Sequence, residues 1–279
     1  MLKISQKISK RLSEGIKNFQ PVLKAANSRD VNESDTSTIV TDMLSDIWGY
    51  DKYSEITSEF MIRSTYCDLA VVINGKPNII IEVKAIGLEL KDNHIKQAVD
   101  YACNQGIDWV VLTNSIEWKL YKVLYNKPIE HELVFEFNFM ELSSKKKKDV
   151  EFLFPLTREG VAKSTLEDYH DQKQALSRFT LGALILSDHY LTSIRKDLRK
   201  LAPGINIELD EIKDVITNEL FKREVIESGD IKTAEKKVKK LEQKPRSKTT
   251  PVKEKIPPSN SVAAVSALLV QSNTNNTLN

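Results

Sequence analysis

Asp68, Glu82 and Lys84 are three ionisable residues set among apolar side chains in one stretch, CDLAVVINGKPNIIIEVKA, from Cys67 to Ala85. A charge inside Ile79-Ile80-Ile81-Glu82-Val83 is costly to bury unless it is paired or holds a cation. Glu82 and Lys84 are two apart, so on a strand they project from one face, about 7 Å from each other. Asn74-Gly75-Lys76 favours a hairpin between two strands. With a three-residue loop, Ile73 pairs with Pro77 and Asp68 stands opposite Glu82, their Cβ atoms roughly 4.5–5.5 Å apart. A two- or four-residue loop slips the register by one and turns Asp68 to the other face, barring a bulge. Two carboxylates that close raise one another's pKa unless a cation lies between them. Hard oxygen ligands suit Mg²⁺, and Lys84 would then orient or polarise a water beside a phosphate. The alternative is a plain ion pair on the solvent face of an amphipathic hairpin. Against it, the isoleucines at 79–81 put apolar groups on both strand faces.

Two further positions fit the same chemistry. Glu33 lies seven residues before Val40, nearly two helical turns, which places it on the inward stripe at the start of a helix. From there it could reach a metal or its water; it also reads as an acidic first-turn residue favoured by the helix dipole. Gln97 and Tyr101 are stacked neighbours on a helix, flanking the stripe Ile95, Ala98, Val99 and Ala102. They could bind phosphate or steady the helix beside Lys84, or simply mark the edge of a buried face.

The elements that must position these residues follow from periodicity. A helix over 3–18 ends before Pro21, and a second over 32–48 carries Ile39, Val40, Met43, Leu44 and Ile47 at helical spacing, with Asp30 or Asn32 as its cap. Strands are expected at 55–63, 67–73 and 78–85, a helix at 92–105, and strands at 109–113, 117–124 and 133–139. That order predicts an α/β or α+β core, helices against a mixed sheet. After Ser143 a lysine run opens a helix ending near Pro155, and residues 165–227 are helical with a break at Pro203-Gly204. Past Gly229 comes a Lys/Glu-rich segment, then a Pro/Ser/Asn-rich stretch without a packing pattern.

Composition narrows the classes. At 279 residues with 41% hydrophobic content, the chain can bury one sizeable core or two smaller ones. Two cysteines without metal spacing suit a reducing, cytoplasmic setting, and Val262–Val270 is too short to span a bilayer. The four histidines are scattered, which argues against zinc. Residues 231–279 carry ten Lys/Arg against three acids, leaving 31 bases against 36 acids before them. The folded part is therefore no generic basic nucleic-acid binder. The basic tail supplies either phosphate attraction or plain solubility.

Glu33, Asp68, Glu82-Val83-Lys84 and Gln97-x-x-x-Tyr101 occur in the order that resembles the PD-(D/E)xK nuclease superfamily, and more narrowly the N-terminal nuclease domain of type I restriction enzyme R subunits. Trp109-Val-Val-Leu-Thr-Asn114 and Trp118-Lys-Leu-Tyr-Lys122 look like that family as well. The resemblance covers roughly residues 25–140. It implies that Asp68 and Glu82 coordinate Mg²⁺, or Mn²⁺ in its place, with the Val83 carbonyl a third ligand. Lys84 would position the nucleophilic water, Glu33 would assist the metal shell, and Gln97 and Tyr101 would orient the site or touch the DNA backbone. Cys67 stands where the superfamily's proline would be, a loose position.

R subunits also carry an ATP-driven translocase, whereas this chain has no G-x-x-x-x-G-K-[ST] phosphate loop and so no ATP site. The expectation is a restriction-endonuclease-like domain over 1–142, a helical region over 143–229 and a basic, disordered tail over 230–279. Its function would be Mg²⁺-dependent DNA cleavage related to restriction or defence, alone or with partner proteins. A homodimer through residues 165–227 would supply two centres for double-strand cutting. The competing reading is a non-cleaving nucleic-acid-binding or adaptor protein on the same fold.

Overall fold

The computed structural model describes residues 4–62, 65–125 and 127–243. Helices α1 (Gln6–Ser28) and α2 (Glu33–Asp46) precede three strands, β1 (Ile56–Ile62), β2 (Thr65–Ile73) and β3 (Lys76–Val83). Helix α3 (Lys96–Gln105) then leads to β4 (Trp109–Thr113), β5 (Glu117–Leu124) and β6 (Glu130–Asn138). The strands form one sheet in the order β1-β2-β3-β4-β5-β6. Every neighbour is antiparallel except β3 and β4, which run parallel because α3 carries the chain back across the sheet. The fold is the mixed α/β sheet flanked by helices that the periodicity predicts.

Both faces of the sheet are covered. Leu69, Val71, Ile79, Ile81, Val83 and Val111 pack in one cluster with Leu12, Ile16, Val40 and Met43 of α1 and α2. Ala70, Ile80, Val110 and Leu112 pack on the other side with Ala98, Val99 and Ala102 of α3. Ile79, Ile80 and Ile81 are each at most 2% exposed, so the triple isoleucine does serve two faces.

Three local expectations need correction. Helix α1 runs through Pro21 instead of stopping before it. Pro21 lies on the exposed side, and Leu12, Ile16, Leu23 and Ala26 keep one buried stripe through it; that packing outweighs one lost backbone hydrogen bond. The β2–β3 loop has two residues, not three, with Asn74 and Gly75 both at positive φ and Ile73 paired with Lys76. That is the backbone of an Asn-Gly hairpin turn. Lys-rich residues 229–243 form a helix, α11 (Gly229–Gln243), where an unstructured tail was expected. Ile231, Ala234 and Val238 give it a buried stripe at 4%, 5% and 3% exposure. The rest of the basic tail, residues 244–279, lies outside the described residues.

The chain divides into two compact units, Met1–Leu181 and Gly182–Asn279. The expected boundary at 142/143 falls inside the first. Its later helices α4 (Lys147–Phe152), α5 (Arg158–Val161) and α6 (Thr165–Ala175) send Phe152, Val161, Leu166 and Tyr169 into the same cluster as α1 and α2. Arg11 anchors this packing with a two-pronged contact to Glu159 at 2.9 and 2.7 Å, and it also donates to the carbonyls of Ile47 and Trp48. Helix α7 (Arg178–Ile185) crosses the division. The second unit continues with α8 (Asp188–Leu201), α9 (Leu209–Val215), α10 (Arg223–Glu227) and α11. Among the described residues no helix is long and apolar enough to cross a membrane.

Candidate active site

The two-residue turn would by itself set Asp68 out of register with Glu82. A bulge between Val71 and Val72 restores it, so that Leu69 pairs with Ile81 and the next residues along are Asp68 and Glu82. Beside the bulge stand Pro77, which has no N–H, and Asn78, whose side-chain oxygen accepts from the Ile73 amide at 3.2 Å. Proline within a sheet is confined to edges and such irregularities. Beyond Leu69 and Ile81 the ladder gives way to a side chain: the Val83 amide donates to Asp68 Oδ2 at 2.7 Å. Asp68 is held against the backbone between Glu82 and Lys84.

Lys84 follows β3, its amide donating to the Thr113 carbonyl on parallel β4 at 2.8 Å. Its Nζ lies 2.7 Å from Glu82 Oε1 and 3.6 Å from Glu33 Oε2. Glu82 and Lys84 are 12% and 17% exposed, whereas Glu33 is 51% exposed. Glu33 is therefore not on the buried stripe of α2, which consists of Thr36, Val40, Met43 and Leu44. It reaches Lys84 because the start of α2 is tied to the chain leaving β3. The Ile86 amide donates to the Val31 carbonyl at 3.4 Å, and a Cβ at Gly87 would collide with the Asp30 carboxylate. The cap is Asn32, whose side chain accepts from the Asp35 amide at 2.9 Å.

These side chains form a site short of positive charge. Burial pushes the Glu82 carboxyl above its ordinary value; the hydrogen bond from Lys84 opposes this, and the charges of Asp68 and Glu33 add to it. For Lys84, burial favours the neutral amine, but the Glu82 hydrogen bond and the charges of Glu82, Glu33 and Asp68 outweigh it and raise its pKa. Burial dominates for Glu82 and the neighbouring carboxylates for Lys84; with all groups charged, three carboxylates against one ammonium would leave two negative charges in a partly dry place. A divalent cation would balance them. Among the described residues no three His, Cys, Asp or Glu side chains form a ready-made cation cage. The donor set fits an ion that takes one or two carboxylates and keeps its waters, as Mg²⁺ does, with Asp68 and Glu82 as the carboxylates. The side chain of Asp68 also lines an open cleft of about 610 Å³ with Glu33, Ser37, Thr41 and Lys52. The Lys52 ammonium rests 2.6 Å from Asp42.

Gln97 and Tyr101 part company. Tyr101 is 3% exposed on the α3 side of the sheet, in one cluster with Cys67, Ala70 and Ile80, and burial pushes its hydroxyl up to about 12. Gln97, a turn earlier, is exposed. Tyr101 thus packs against the strands that carry the site, while Gln97 faces outward. Sequence reasoning missed Thr113, which is fully buried and fixes the Lys84 backbone. Its signal was available: the residue ending an apolar strand parallel to the Glu-x-Lys strand must receive that strand's last amide.

Comparison with known proteins bears on the first unit. The chain in a structure described as "cryoEM structure DrdV-DNA complex" aligns at 16% identity and a TM-score of 0.34, covering 54% of this chain and 96% of that one. No curated protein matches. Residues 39–136 match the family model described as Type I restriction enzyme R protein N terminus (HSDR_N), a span that begins after Glu33 and holds the other site residues. In that segment, from Ile39 of α2 to Glu136 of β6, the chain is similar to the N terminus of type I restriction enzyme R proteins.

Proposed function

We propose that this protein is a Mg²⁺-dependent DNA endonuclease of the PD-(D/E)xK kind, related to restriction or defence. The observation that carries this reading is the Lys84–Glu82 contact of 2.7 Å within a group of three carboxylates that lacks two positive charges. Asp68 and Glu82 would hold Mg²⁺, with the Val83 carbonyl as a third ligand. The ion would supply charge neutralisation at the scissile phosphate and a more acidic bound water. Lys84, held protonated by its neighbours, cannot act as a base near neutral pH. Its ammonium donates, orienting the attacking water and stabilising charge that develops on the phosphate oxygens. Glu33, more exposed, steadies that ammonium from the helix side. Tyr101 braces the strands that carry the site, and Gln97 stands outside where a backbone could meet it. Cutting both strands requires two such centres, so two copies acting together belong to this reading.

Supercoiled plasmid incubated with the purified protein should be nicked or linearised with Mg²⁺ or Mn²⁺ and remain intact with EDTA. Metal-independent binding without cleavage would favour an adaptor that has kept the fold, and the endonuclease reading would fail.

The basic region contributes affinity in a definite way. Lys232, Lys236, Lys237, Lys239 and Lys240 are all exposed on α11, opposite its buried stripe. Deleting everything after Gly229 would destroy a packed helix, so replacing these lysines with glutamine is the sharper test. The slope of log affinity for DNA against log salt should fall by about 0.9 for each lysine that meets a phosphate. An unchanged slope would remove α11 from the interface.

A further inference from the structure

The second unit contains an apolar groove that the site chemistry does not use. Ile194 and Leu198 of α8, Ile207 of the following connection, and Val215, Leu220 and Phe221 at and beyond the end of α9 line a cavity of about 500 Å³. Glu211 is the one charged residue on its wall. Val215 and Leu220 are 48% and 70% exposed. Aliphatic groups clustered around an open groove, unlike scattered ones, call for a cover.

We infer that residues Val262–Val270 of this same chain occupy that groove. Eight of those nine residues are apolar, in the order VAAVSALLV, and they stand in a stretch without any charged residue from Ser259 to Asn279. The segment therefore brings no charge to be desolvated against the aliphatic wall. Val262, Val265 and Leu269 recur at i, i+3 and i+7, the spacing by which one helical face anchors in a groove. Residues 244–261 connect it to the end of α11 and can span tens of ångströms when extended, at about 3.3–3.6 Å per residue. A tether of that length holds the segment near the groove at an effective concentration on the order of millimolar, which a free partner must exceed. The linker itself bears Lys244, Arg246, Lys248, Lys253 and Lys255 against Glu254, so it stays in water while the segment it carries does not.

The test compares the full chain with a chain stopped after Asn260, using an environment-sensitive hydrophobic dye, hydrogen exchange of α8 and α9, and sedimentation. Truncation should raise dye fluorescence several-fold and speed exchange at α8 and α9. A synthetic peptide of residues 259–272 should reverse both effects. Leu269→Asp in the full chain should act like truncation. Val215→Ser with Leu220→Ser, at exposed positions that do not threaten the fold, should make the truncated chain indifferent to the peptide. Unchanged dye binding and exchange on truncation would overturn the inference. So would groove-dependent self-association that persists in the truncated chain, since a second copy would then be the cover.

Discussion

Lys84→Ala should lower Mg²⁺-dependent cleavage of plasmid DNA by about 10²- to 10⁴-fold, the range expected when a positioned proton donor is removed from a transition state. The loss should appear in the rate at saturating DNA more than in DNA affinity, because the ammonium is 17% exposed and one cation adds little to a phosphate-binding surface. Asp68→Asn should match it by a different route, with the amide still able to accept from the Val83 amide but carrying no charge for the metal. Raising Mg²⁺ should therefore partly restore Asp68→Asn and do nothing for Lys84→Ala. Cleavage by both variants at the wild-type rate would dispose of the proposed centre. The pH profile gives an independent handle. Glu82 titrates above the ordinary 4.5 in the folded protein, and a metal ligand must be deprotonated. As pH falls through that raised value, Glu82 takes up a proton and the metal is lost. The acid limb of cleavage should thus lie above the ordinary glutamate range, and it should move to lower pH when Mg²⁺ is increased. Lys84, also raised, stays charged well beyond neutrality and puts no limb in the working range.

The residues that meet at this centre were legible from pattern, but the way they meet was not. Period two places Glu82 and Lys84 together, and triple isoleucine signals a strand buried on both faces. The hairpin reached the expected Asp68–Glu82 register by another path, a two-residue turn whose slip is undone by a bulge at Val71/Val72. A proline inside a strand pattern is the local sign of such a bulge, and Pro77 supplied it. Glu33 was placed near the site for a mistaken reason. It comes to Lys84 through the tie between Val31 and Ile86, not through the buried face of α2. That contact joins residues far apart in sequence, and no periodicity carries it. Pro21 and α11 err in the same direction. Proline argues against helix locally and a charge-rich composition argues against packing, and a continuous buried stripe overrides each.

Trp118→Ala should cost about 3–5 kcal/mol of stability, a third or more of the roughly 5–15 kcal/mol that holds a typical domain together. The ring is 2% exposed on β5, 4.6 Å centroid to centroid from Trp48 and stacked on Phe137 at 6.2 Å and 6°. Truncation opens a cavity between the sheet and the α1–α2 layer that rigid strands on one side cannot refill. Its indole N–H also donates to the Ser115 carbonyl at 2.8 Å, in the turn between β4 and β5. Trp48 is equally buried, yet its N–H has no acceptor among the described residues. This asymmetry separates two conservative changes. Trp118→Phe loses a made hydrogen bond and strands a buried carbonyl, while Trp48→Phe removes an unpaired donor, so in chemical denaturation the first should be the more damaging. The consequence reaches the candidate centre. Trp118 is paired with Thr113, and the Thr113 carbonyl fixes the Lys84 amide. Loosening β5 against β4 therefore loosens the strand end from which Lys84 projects. At temperatures where Trp118→Phe is still fully folded, its cleavage rate should fall while that of Trp48→Phe does not. Equal rates in the two would mean that Lys84 is positioned by β3 alone.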